Sequence, residues 1–264
     1  MKKFFALLLA CMLAMTAVCA AAEINVTMRG LSQVQGLDKN VNHILVVLQD
    51  GSVADTIMLA SINSRSGRAV MTRVDCGMPV EVTQDDGTAV TVPVGEVYVM
   101  GGKKSRGLLM CRELNELLGL NISTYVALDI AQLPGIVDKL GMLNMPLEEN
   151  EAAALGKPWD YVDLTGEEVL AYVRLALPGD SPVRSRCYDA LMQLIKQGVR
   201  GGDVMGLVSM GAKMLKSMDT NLNPMTAMTL VGAVQAGEDR REVYVPADMA
   251  MEDVQAMIRT EIYE

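Results

Sequence analysis

Two nearly uninterrupted aliphatic runs set the first limit on this chain. Val41–Leu48 reads VNHILVVL and Thr56–Ile62 reads TIMLASI. A strand with one wet face alternates apolar and polar residues, whereas a strand buried on both faces does not. These runs therefore require a sheet covered on each side by other elements. The turn cluster Asn63-Ser-Arg-Ser-Gly67 separates the second run from Arg68–Val74, a third strand. Val80–Val82 and Thr88–Val94 alternate around Asp85-Asp86-Gly87 and predict a hairpin.

The cover follows in the second half. Leu108, Cys111, Leu114 and Leu118 repeat at helical spacing and stop at Gly119. Tyr125–Leu128 predicts a short strand, Ile130–Leu140 a helix closed by Gly141, and Met142–Pro146 another strand. Asn150–Lys157 reads as loop or weak helix. Thr165-Gly-Glu-Glu168 has the form of a capping box and starts a helix through Val169, Leu170, Val173 and Leu177. After Pro178-Gly-Asp-Ser-Pro182 a long helix carries Tyr188, Leu191, Met192, Ile195 and Val199 on one face. Helices are expected over Asp203–Met218, Pro224–Val234 and Met249–Tyr263, with a late strand at Glu242–Val245. Many of the 21 methionines sit on these apolar faces, where flexible thioethers fill a core. Strands first, mixed units next and helices last give an α/β (α+β) sandwich with helices on both sheet faces.

The amino terminus has a different purpose. Lys2 and Lys3 precede Phe4–Ala22, which is free of charge and ends in Ala20-x-Ala22. A basic start, an apolar run and small residues at the end make an export signal. A run of this length also meets the roughly 17–25 residues that span a bilayer, so residues 1–22 read as a signal peptide or a membrane anchor. Residues 23–40 read as a linker, and 41–264 as the working domain. The formal charge of −9 gives no general attraction to nucleic acid. Any phosphate must then be held by local arginines.

Beyond residue 22 the cysteines are Cys76, Cys111 and Cys187, too dispersed for a zinc motif. Three buried thiols are expected, with a single bridge as the rival. His43 is the only histidine and sits at the mouth of a strand, which suits a structural role. Trp159 is expected to anchor packing, and Tyr172 and Tyr188 to lie in the core.

Four stretches resemble one family. ILVVLQDGSVADTIMLASINS (Ile44–Ser64) is similar to the first strand, aspartate loop and SDTIMLASIN strand of the LytR-CpsA-Psr (LCP) cell-envelope proteins. LNELLGLNISTYVALDIAQLPGIVDKLG (Leu114–Gly141), LTGEEVLAYVR (Leu164–Arg174) and DTNL (Asp219–Leu222) resemble later stretches in the same order. The resemblance spans about 41–235. It implies a central mixed sheet flanked by helices, an apolar pocket for a polyprenyl tail, and a pyrophosphate site at its mouth. It further implies transfer of a glycopolymer from a polyprenyl-pyrophosphate carrier to peptidoglycan at the outer face of the membrane, assisted by Mg²⁺.

Carried over residue by residue, the resemblance makes Asp50 and Asp55 the metal carboxylates, Arg174 and Arg186 the phosphate-binding arginines, and Asp180 a catalytic-site aspartate. Two carboxylates can hold a magnesium ion that bridges phosphate oxygens, and arginine forks neutralise a diphosphate. The rival for Asp50 and Asp55 is the satisfaction of turn backbone, and for the arginines, ion pairing. The loop Gly51-Ser-Val-Ala54 is shorter than the family's. Val53, Cys76, Ala176 and Val183 stand where it has arginines, and Gly77 where it has an aspartate. Arg73 and Asp75 lie beside the lost arginine, although an offset along a strand turns a side chain to the other face. One well-placed donor lost costs roughly 2.7–4 kcal/mol of transition-state stabilisation. The resemblance therefore leaves two functions open: a transferase, or a catalytically impaired relative that binds the lipid, a glycan or a partner protein.

Overall fold

The structure, a computed structural model, describes residues 23–31, 33–51, 53–178, 185–200, 218–223, 226 and 239–263. The signal or anchor lies outside them. So do the helices expected over Asp203–Met218 and Pro224–Val234, apart from Met218 and Thr226. No helix among the described residues is long and apolar enough to cross a membrane.

The chain begins with β1 (Val41–Asp50), β2 (Val53–Asn63), β3 (Ala69–Val74) and the hairpin β4 (Pro79–Thr83) and β5 (Ala89–Pro93). Next come α1 (Val94–Met100), α2 (Arg106–Leu118), β6 (Thr124–Asp129) and α3 (Leu133–Leu140). They are followed by β7 (Leu143–Leu147), α4 (Glu149–Leu155), β8 (Asp160–Leu164), α5 (Gly166–Val173) and α6 (Arg186–Arg200). β9 (Asp219–Thr220), β10 (Arg240–Val245) and α7 (Met251–Tyr263) complete the described elements.

Six strands form one mixed sheet in the order β10-β3-β2-β1-β6-β9. β1 runs antiparallel to β2 and parallel to β6, and β3 runs parallel to β10. As the unbroken aliphatic runs require, both faces are covered. On one face Leu45, Val47, Ile57 and Leu59 pack against Leu109, Leu114 and Ile258 of α2 and α7. On the other, Leu48 and Leu128 pack against Val137, Val169 and Tyr172 from α3 and α5. Tyr172 and Tyr188 are buried as expected.

His43 is structural too. It lies between the Ser61 hydroxyl at 2.9 Å and the Tyr263 hydroxyl at 3.0 Å. Burial pulls its pKa down to about 4, because a buried imidazolium loses its hydration. The capping box of α5 forms as read: Thr165 N–H donates to Glu168 at 2.9 Å, and Glu168 N–H to the Thr165 hydroxyl at 3.4 Å.

That helix ends at Val173 and does not reach Leu177, and three further expectations change. Residues 23–40 are not a free linker at their start: Ile24 is 1% exposed, and its backbone bridges Gly101. Its N–H donates to the Met100 carbonyl at 3.0 Å, so the segment is docked on the core. Trp159 anchors nothing, being 72% exposed. Val94 opens a helix rather than ending a strand, since Pro93 stops the ladder and Val94 and Val97 turn inward.

Candidate functional site

The site is built where β1 turns into β2. Asp50 pairs with Val53 across the turn, and Gly51 takes φ +67°, a conformation that is cheap only without a Cβ. β1 thus turns tightly into β2. A register shift between Leu48 and Gln49 interrupts the regular ladder just before this turn.

Two helical segments meet this edge. α5 ends at Arg174, whose guanidinium grips Asp50 at two points, Nη2 to Oδ1 at 2.8 Å and Nε to Oδ2 at 3.2 Å. Both side chains are 46% exposed. This fork-to-carboxylate geometry is specific to arginine, and it raises the Arg174 pKa above its ordinary value. At the start of α6, the Ser185 hydroxyl meets that of Thr56 at 2.7 Å, and Thr56 donates to Asp55 at 3.0 Å. The Cys187 thiol bonds to Asp55 as well. Its pKa is pushed far up by burial first, then by the charge of Asp55, and further by that of Asp50. Both carboxylates therefore act on one buried point beneath the start of α6.

The remaining expected residues divide. Asp180 lies outside the described residues. Arg186, expected to clamp phosphate, is only 7% exposed. Its Nε donates to Glu151 at 2.7 Å and its Nη1 to the Leu175 carbonyl at 3.0 Å. The Glu151 carboxylate is fully buried, and a buried carboxylate must be paired. Through these contacts Arg186 braces α4 against α6. Sequence reasoning missed Glu151, although Glu148-x-x-Glu151 forms a capping box at the start of α4 and was legible as one. It also missed Thr56, Ser185 and Cys187, which are ordinary residues until the fold brings them to Asp55.

Among the described residues Cys76, Cys111 and Cys187 are free thiols; Cys111 and Cys187 are buried as expected, whereas Cys76 is only partly so. Among the described residues no three histidine, cysteine, aspartate or glutamate side chains gather into a metal cage. Two carboxylates flanked by hydroxyls nonetheless suit the hard-oxygen chemistry of magnesium, which takes its other ligands from phosphate and water. Nearby, a cleft of about 380 Å³ opens between α6, the end of β7 and β10, lined in part by Tyr188, Asp189, Met192, Lys196 and Glu242. Its lining mixes charge with apolar surface.

Comparison with known proteins places this geometry. The model of the LytR_cpsA_psr family matches residues 22–259. The fold matches the crystal structure of B. subtilis TagV at TM-score 0.65 and 16% identity, covering 86% of this chain and 98% of that one. It also matches gbs0355 from Streptococcus agalactiae (TM-score 0.67, 16% identity, 84% and 88% covered). A third match is a LytR-CPS2A-psr family protein, YwtF (TagT), with bound octaprenyl pyrophosphate lipid (TM-score 0.62, 16% identity, 87% and 94% covered). Direct sequence comparison with curated proteins returns no significant match. At such identities the structural likeness establishes the fold.

Proposed function

The chain belongs to the LytR-CpsA-Psr family, and on that premise we propose that it acts on a glycopolymer carried by polyprenyl pyrophosphate, attaching it to peptidoglycan. Members of the family are extracytoplasmic. We place the reaction at the outer membrane face, with residues 1–22 as signal or tether. The observation that carries the reading is the Arg174–Asp50 fork beside Asp55 on one exposed edge. A cationic fork and a carboxylate pair are what a magnesium diphosphate needs, and here they already neutralise each other.

In this reading Asp50 and Asp55 would hold Mg²⁺, which would supply charge neutralisation on the phosphate oxygens. Arg174 releases Asp50 to take phosphate oxygens through the same two donors. The acceptor hydroxyl forms a bond to the glycan-side phosphorus as the bond to the lipid-side phosphate breaks. The lipid phosphate leaves with the electron pair, and a carboxylate of the edge takes the hydroxyl proton. Placing the electrostatic donors is most of the protein's task in such a step.

One observation favours a second reading. Arg186 is engaged with Glu151, and Val53, Cys76 and Ala176 carry no charge, so a binder without turnover has the same scaffold. Incubating the full chain with undecaprenyl pyrophosphate and Mg²⁺ separates the two. Phosphate release that Asp50→Ala abolishes supports the transferase chemistry. Lipid retained without turnover, seen by mass spectrometry, supports the binder. Neither release nor retention overturns both.

A further inference from the structure

Two large aromatic side chains stand in water at the start of β8. Trp159 and Tyr161 are 72% and 65% exposed, whereas folding ordinarily buries most of an indole or phenol ring. They are two positions apart, so their Cα atoms are separated by at most about 7 Å. Asp160 between them takes φ +93°, and no other non-glycine residue among those described has a positive φ. That conformation strains a residue with a Cβ. The backbone is thus strained at the one place where both rings are held off the core.

The hairpin that β8 makes with β7 is sorted by face. Leu143, Met145, Leu147 and Leu164 are buried in the core. On the outer face Tyr161 sits opposite Pro146, and Asp163 opposite Asn144. The Asn144 side-chain amide donates to the Asp163 carboxylate at 2.8 Å, which fixes both groups beside the phenol. The amide has a second N–H and the carboxylate a second oxygen for a ligand. Gln197 of α6 holds the hairpin in place. Its side chain accepts from the Asn144 backbone N–H at 3.1 Å and donates to the Met142 carbonyl at 2.6 Å.

Aromatic faces beside a fixed amide and carboxylate match the chemistry of a sugar. A pyranose has an apolar C–H face that stacks on a ring, and a rim of hydroxyls that both donate and accept. Charge narrows the occupant further. Asp160, Asp163, Glu148 and Glu149 are all exposed on this hairpin or just after β7. Lys157, the nearest cation along the chain, is paired with Glu168 at 2.5 Å. Such a surface repels anionic lipid head groups and polyanionic chains, and it does not repel an uncharged sugar backbone. The platform is also within reach of the Asp50–Arg174 edge, because β8 leads through Thr165 into α5, which ends at Arg174. At the rise of strand and helix, Trp159 lies at most roughly 36 Å from that arginine, a span that several linked sugars cover.

We propose that Trp159 and Tyr161 are a stacking platform for the glycan strand of peptidoglycan, with Asn144 and Asp163 bonding its hydroxyls. This rests on the reading of the chain as one that attaches a glycopolymer to peptidoglycan, and it assigns the acceptor a place.

Trp159 is the only tryptophan, so its emission reads the platform without a label. The full chain is titrated with chitotetraose, which has an uncharged amino-sugar backbone and no peptide. Parallel titrations use a poly(glycerol phosphate) chain and phosphatidylglycerol vesicles. The expected result is a blue shift and protection from acrylamide with chitotetraose alone, with binding weakened roughly tenfold in Tyr161→Ala. Trp159→Ala should melt with wild type, since its ring is exposed, and should lose co-sedimentation with peptidoglycan sacculi. No response to chitotetraose, a response that Tyr161→Ala leaves intact, or undiminished sedimentation of Trp159→Ala overturns the platform. An equal response to the polyanion or to the vesicles overturns it as well, in favour of the donor polymer or the membrane. Lipid-dependent phosphate release is measured on the same samples. Release without the chitotetraose response overturns the platform alone, and the response without release overturns the transferase reading while the sugar platform stands.

Discussion

Arg174 and Asp50, 124 positions apart in the chain, share two hydrogen bonds of 2.8 and 3.2 Å at the exposed rim of the sheet. An ion pair that wet contributes little to folding. Its value lies in keeping a fork and a carboxylate at one place. Arg174→Ala is therefore expected to leave the melting temperature nearly unchanged and to lower lipid-dependent phosphate release by about 100-fold or more. A large fall in melting temperature with undiminished release per folded molecule would contradict the placement of the site.

Arg186 and Glu151 behave in the opposite way. Their side chains are 5% and 0% exposed, so removing one partner takes the ion pair from a buried charge. Glu151→Gln is expected to destabilise the fold by roughly 3–5 kcal/mol, read from chemical denaturation. The double variant Glu151→Leu with Arg186→Met should recover much of that loss. If Glu151→Gln is neutral, Arg186 is not the brace described above.

Acid stability should carry the signature of His43. Its folded pKa is about 4 against an ordinary 6.5, so between those values the unfolded chain binds the extra proton. Stability is then fully present above about 6.5 and is lost as pH falls toward 4, by about 3 kcal/mol in all. With one histidine in the chain, denaturation midpoints of wild type and His43→Asn against pH assign the effect. The variant should lose the dependence between pH 6.5 and 4 while carboxylates still titrate below it. Parallel curves for the two proteins would refute the assignment.

Trp159 is the only tryptophan and is 72% exposed. Its fluorescence should match hydrated indole, be quenched readily by acrylamide, and shift little on unfolding. Blue-shifted, protected emission would mean that this indole is covered in solution.

Much of the scaffold was legible because it depends on short-range spacing. The hairpin around Asp85-Asp86-Gly87, the helix ending at Gly119 and the box at Thr165 and Glu168 are set by residues within a turn of each other. β8 escaped notice because Asp160 and Asp163 interrupt its apolar pattern, and it forms by pairing with β7. The site was legible only as residue types. Asp50, Asp55 and Arg174 could be named by resemblance, yet nothing in their spacing distinguishes Arg174, which meets Asp50, from Arg186, which meets Glu151. Nor does parity along a strand foresee that β3 stops at Val74 or that Arg73 meets the rings of Tyr188 and Tyr244.

The sequence by itself determined that two strands lie buried between helices, that the chain is acidic, and that its order of motifs is that of the LytR-CpsA-Psr family. Periodicity and composition act over a few residues, so they survive without coordinates. Only the tertiary structure decided which charge meets which: Asp50 with Arg174, Glu151 with Arg186, and Arg73 with Tyr188 and Tyr244. The reason is distance. Electrostatic and hydrogen-bond energies fall off within a few ångströms, and separation in space across packed elements is a property of their packing, which no local run of residues contains.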